Sequence, residues 1–119
     1  MCGVRPLNLD VRCADMANRK IQLIALLRET VELLEAANER GWAFRLRGDL
    51  ERLEDDDGSG LDHLLSAYGG MGSLNDLYLC AMNGHKVRDA EAKTLNARLN
   101  ELTSEMWQVA KELSRAQHT

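Results

Sequence analysis

The chain has 119 residues, 45 % hydrophobic, 29 % charged and only 4 % aromatic, with a formal net charge of −4. That length fits one domain with a real core, and the core must be built from Leu, Ile, Val, Met and Ala rather than aromatics. An acidic balance without a basic stripe argues against a nucleic-acid binder. No apolar run approaches the ~20 residues of a membrane span, and the start lacks a basic segment followed by an apolar stretch, so a cytoplasmic protein is expected.

Residues 1–14 show no clear period and contain Pro6, the chain's one proline. They are expected to form an N-terminal extension to a single domain spanning 15–119. Met-Cys-Gly at the start is a chance match to N-terminal-cysteine amidotransferases, which need a far larger αβ core. Cys2, Cys13 and Cys80 form no CxxC pair and are read as reduced thiols.

Asp15 is the expected cap of a first helix reaching about Arg40. Ile24, Leu27, Val31 and Leu34 make one apolar stripe, which Leu23, Leu26 and Leu33 widen, so this helix is expected to be buried on more than one side. Gly41 is its expected left-handed C-cap. A second helix is expected over Trp42–Glu54, with Leu46, Leu50 and Leu53 on one face. Gly48 within it suggests a close approach by another helix.

Asp55 to Gly60 reads as a loop, followed by a short helix from Leu61 to Tyr68. The segment from Gly69 to Asp76 is too rich in glycine for a regular helix at its start. Leu74–Met82 is short and apolar, and helix is favoured over a buried strand. Asn83-Gly84 is a turn signal. The last helix, Val87–Ala116, carries Leu95, Leu99, Leu102, Met106, Val109 and Leu113 in alternating steps of four and three, a heptad seam. The expected fold is therefore all-α: an antiparallel helical bundle with two long helices and two or three shorter ones. The seam would alternatively serve a homodimer.

Between Asp49 and Asp62 stand seven acids and one arginine, a net charge of −6. Asp49, Glu51, Glu54, Asp55, Asp56, Asp57 and Asp62 are expected to form an acidic docking patch for a basic protein. Asp55, Asp57, Ser59 and Gly60 match the first half of a calcium loop, but Asp62 and Ser66 occupy its eighth and twelfth positions, so no metal site is expected. The glycine segment lacks a phosphate-loop ending. It is expected instead to present Met71, Ser73, Asn75 and Asp76 to the same partner. His63, His85 and His118 show no metal-ligand spacing. Ser73, His63 or His85, and Asp76 supply the letters of a catalytic triad without a motif to place them, so neither an enzyme nor a cofactor is expected. Trp42 and Trp107 are read as helix-packing residues.

The stretch Leu33 to Leu79 contains the Leu33-Leu34 pair ahead of Trp42, the Leu46-Leu50-Leu53 helix, and Gly69-Gly70-Met71-Gly72-Ser73-Leu74-Asn75-Asp76. It resembles a family of small bacterial proteins of unknown function that are immunity-protein-like. The resemblance implies a helical protein that binds and blocks a cognate secreted toxin. It carries no contact residues over to this chain.

Overall fold

The structure, a computed structural model, describes residues 7–68, 74 and 77–117. Its helices are α1 (Leu7–Ala36), α2 (Arg40–Glu54), α3 (Ser59–Leu65) and α4 (Asp89–Gln117), with a 3-10 turn over Ala81–Asn83. The fold is an all-α helical bundle, as the periodicities require. α1 packs against both α2 and α4, and α3 bridges α2 to α4.

Ion pairs show the helix directions. Arg28 pairs with Glu54 and Glu35 with Arg47, so α2 runs antiparallel to α1. Arg19 pairs with Glu112 and Glu29 with Arg98, so α4 does the same. These pairs are exposed, and each stabilises by about 0–1 kcal/mol. The stability comes from the core beneath them. α1 buries Leu23, Leu27, Val31 and Leu34 completely or nearly so, with Ile24, Leu26 and Leu33 packed at the margins. Thr30 is buried among them, its hydroxyl donating to the Leu26 carbonyl 2.8 Å away. That back-bond is the usual way a helix interior accommodates a buried Thr.

On α4, the seam is consumed inside the chain. Leu99, Leu102, Met106, Val109 and Leu113 are all buried, and only Leu95 stays partly open. A homodimer through this seam would first have to open the bundle. Trp42 packs against the core, whereas Trp107 is 40 % exposed, with Lys111 over its ring.

The helix boundaries correct several expectations. α1 is already helical at Leu7, directly after Pro6, and Asp15 lies within it rather than capping it. Proline is tolerated only at or before a helix's first turn, and nothing beyond it breaks the helix. α1 ends at Ala36, not Arg40. Asn38 adopts φ 63°, the Asn38 amide donates to Glu35 O, and the Glu39 amide donates to Leu34 O. This is the Schellman arrangement with Asn in the left-handed position. Gly41 instead lies in the first turn of α2, whose N-terminus is capped by the Glu39 carboxylate accepting from the Trp42 amide at 3.0 Å.

The two expectations about glycine and helix approach are exchanged. Gly48 has open space where a side chain would be. Gly60 is the close contact: a Cβ there would lie 2.8 Å from Arg52 Cβ and 3.3 Å from Asp49 O. α3 therefore crosses α2 at Gly60.

Leu77–Cys80 is neither helix nor ladder strand. Asn96 of α4 grips Leu79 on both sides, accepting from its amide at 2.7 Å and donating to its carbonyl at 2.8 Å. One side-chain amide thus satisfies the backbone that a neighbouring strand would otherwise pair. The turn at Asn83-Gly84 is present, with Gly84 at φ 84°.

A strap then ties this segment to the α1–α2 corner. The Cys80 amide donates to His85 Nδ1, so the ring proton lies on Nε2, which donates to Glu39 Oε1 at 2.9 Å. The Lys86 amide donates to Ala37 O at 2.8 Å. Burial pushes the Glu39 carboxyl up, but the bonds from His85 and the Trp42 amide outweigh it and hold the group below its ordinary 4.5. A carboxylate with a lowered folded pKa stabilises above its unfolded value and loses that contribution as pH falls through the folded one. Glu39→Gln is therefore expected to cost about 1–2 kcal/mol at pH 7. The gap between variant and wild type should narrow as urea titrations descend below pH 4.5. A gap unchanged at low pH would refute the assigned role.

Candidate functional site

The acidic stretch closes α2 and opens α3. At the end of α2, Asp56 takes φ 60°, with the Asp56 amide donating to Leu53 O and the Asp57 amide to Arg52 O. Here a second helix ends on a left-handed residue that is not glycine. Asp57 then turns its carboxylate onto Ser59, accepting from both the hydroxyl at 2.8 Å and the amide at 2.9 Å. These bonds hold the Asp57 carboxyl below the usual carboxylate range. Its oxygen thus organises the turn into α3. Among the described residues, no group of three or more His, Cys, Asp or Glu is placed to hold a metal ion.

Glu51, Glu54, Asp55, Asp56, Asp57 and Asp62 are exposed and cluster at this corner. α1 answers part of the charge: Arg28 pairs with Glu54 and Lys20 with Asp56. Asp55 and Asp62 form no ion pair among the described residues and face solvent. The corner therefore keeps a negative excess, smaller than the sequence count implies.

Asp49 is the correction within the patch. It is fully buried and unavailable to a docking protein. The reason lies in its helical phase. Asp49 shares the face of Leu46, Leu50 and Leu53, and α3 covers that face where Gly60 lets it approach. Asp49 Oδ1 is bonded to His63 Nδ1 on α3, and Oδ2 has no partner among the described residues. Arg52 Nη1 lies 3.9 Å away. Burial pushes the Asp49 carboxyl up, opposed by the hydrogen bond and charge of His63 and by Arg45 and Arg52.

Above this pair lies an open groove of about 480 Å³, lined by Phe44, Arg45, Arg47, Asp49, Glu51, Arg52 and His63 and widened by the missing side chain of Gly48. Phe44 is 82 % exposed. Arg45 lies over the Trp42 ring, 5.2 Å from its centroid, and donates from Nη2 to Ser66 Oγ at 3.0 Å. Sequence reasoning did not single out Phe44 or Arg45. Phe44 was legible as the one aromatic off the Leu46-Leu50-Leu53 face. The partnership of His63 with Asp49 was not, because nothing in the spacing marks it.

Met71, Ser73, Asn75 and Asp76 lie outside the described residues. Next to them, Leu74 is buried and its amide donates to Ala67 O at 2.9 Å. A second groove, about 860 Å³, opens where the end of α1 meets the start of α4. Its floor includes Leu33, Val87 and Leu95, and Lys86, Arg88 and Arg98 stand among its lining.

No helix among the described residues is long and apolar enough to cross a membrane. No curated protein and no solved structure matches the chain. Residues 35–88, which hold α2, α3, both His–carboxylate pairs and the acidic corner, are similar to a family described as a domain of unknown function, DUF6966.

Proposed function

We propose that this chain is a protein-binding bundle that neutralises a basic partner on its acidic corner, in the manner of a bacterial immunity protein acting in the cytoplasm. The observation that carries the reading is the cluster of exposed acids Glu51 to Asp62, of which α1 neutralises only Glu54 and Asp56. Exposed like charge that the fold does not consume accelerates encounter with an oppositely charged surface. The immunity role rests on the resemblance carried by Leu33 to Leu79. It requires neither catalysis nor a cofactor, and the partner is a secreted toxin rather than nucleic acid or membrane. Met71, Ser73, Asn75 and Asp76 belong to the same proposed surface by their place in the chain.

The test uses the product of the gene adjacent to this one, which the proposal requires to be a toxin. Co-expression should rescue growth, and the purified pair should bind with an association rate that falls steeply with salt. The double variant Asp55→Lys/Asp62→Lys touches no described ion pair and should fold normally. It is expected to slow association about ten-fold or more, since rim charges act mainly on the on-rate. Unchanged association and full rescue by this variant would overturn the acidic corner as the docking surface.

A further inference from the structure

The pairing of Asp49 with His63 is more than docking requires. A buried carboxylate bonded to Nδ1 fixes that nitrogen as the proton carrier and leaves Nε2 with a lone pair. Nε2 has no partner among the described residues, and the His63 side chain is 42 % exposed. No hydroxyl or thiol side chain lines the groove above it, so the imidazole is its strongest nucleophile.

Three guanidinium groups, those of Arg45, Arg47 and Arg52, line the groove with His63 and outnumber its two carboxylates, Glu51 and the buried Asp49. Arg47 is engaged by Glu35 and Arg45 by Ser66, whereas the one ion pair of Arg52 among the described residues is the long contact to the buried Asp49, at 3.9 Å, with Asp57 in electrostatic reach. Guanidinium groups beside a nucleophile neutralise the equatorial oxygens of a phosphoryl group in transfer.

We propose that His63 Nε2 is a phosphoryl acceptor, charged by a small acyl phosphate. The Nε2 lone pair attacks phosphorus, the bond from phosphorus to the acyl oxygen breaks, and the carboxylate leaves with that electron pair. No proton need move. The product is an Nε2-phosphorylated imidazolium that keeps its Nδ1 proton on Asp49, whose negative charge offsets the new positive one. An acyl phosphate is the fitting donor because the phosphorus–nitrogen bond formed is itself of high transfer potential. The groove, about 480 Å³ and recessed against α2, suits a small donor.

Acetyl phosphate is the probe, applied to the full chain. The expected result is a gain of one phosphoryl group, acid-labile and alkali-stable, mapped by tandem mass spectrometry to His63. His85→Gln should label as wild type, and His63→Asn should not label. Asp49 acts as a positioning residue. Asp49→Asn should slow labelling about ten-fold or more. Arg52→Gln should weaken dependence on donor concentration while leaving the fold intact by circular dichroism. No labelling at all, labelling no faster than in the urea-unfolded chain, or labelling that survives His63→Asn would overturn the proposal.

Discussion

Met106→Ala is expected to lower the unfolding free energy by about 2–5 kcal/mol. Met106 is completely buried at the middle of the α4 seam, its sulfur 3.7 Å from the Thr30 hydroxyl of α1. Truncation removes the transfer energy of the side chain and leaves a cavity that two long antiparallel helices collapse around poorly. Thr30 keeps its bond to Leu26 O, so no polar group is orphaned and the loss is one of packing alone. The form of the loss discriminates between two uses of the seam. If the seam closes the bundle, the urea midpoint shifts by the same amount at widely separated protein concentrations. If it joined two copies, the shift would depend on concentration. A concentration-dependent midpoint would contradict the fold described above.

Gly60→Ala and Gly48→Ala should move stability in opposite directions, although both add one methyl group. At Gly60 the new carbon would lie 2.8 Å from Arg52 Cβ and 3.3 Å from both Asp49 O and Leu53 N. Two of those atoms are α2 backbone, so α3 has to back away, at about 1–3 kcal/mol. The displacement would also pull His63 from Asp49. At Gly48 the carbon meets nothing within 4 Å, and the helix gains about 1 kcal/mol from the higher propensity of alanine. Thermal melts of the two variants measure this directly. A stabilising Gly60→Ala would mean that α3 does not cross α2 at that residue.

These glycines show what a single sequence reveals and what it hides. Periodicity located the buried faces of α1 and α4, because Leu27, Val31 and Leu34, and Leu99 to Leu113, repeat at the spacing of one helix face. Chain closure was less legible. Both left-handed helix ends use Asn38 and Asp56, which tolerate that conformation through short polar side chains, so a search for glycine passes over them. Gly41 attracted the assignment that belonged to Asn38. The acidic run obscured the phase of Asp49, whose position on the leucine face was readable from Leu46, Leu50 and Leu53. What spacing could not supply were the long pairings. Asp49 and His63 lie 14 residues apart, Asn96 and Leu79 17, Glu39 and His85 46; the first pair meets where α3 crosses α2, and the other two meet where the non-helical segment before α4 returns to the bundle. The histidines that looked scattered each have a carboxylate partner at His63 and His85.

The register of α1 also arranges charge along the molecule. Lys20 meets Asp56 about midway along α1, while Ala37 meets Lys86 just past its C-terminal end. At 1.5 Å per residue those two points on the chain are about 25 Å apart. One region is thus rich in carboxylates, and the other holds a groove lined by Lys86, Arg88, Glu91 and Arg98, in which Arg88 pairs with Glu91 and Arg98 with Glu29. A charged body approaching such a rod experiences a torque before it touches anything. The carboxylate-rich region turns toward a cationic visitor, so the end that makes first contact is selected by diffusion in the field.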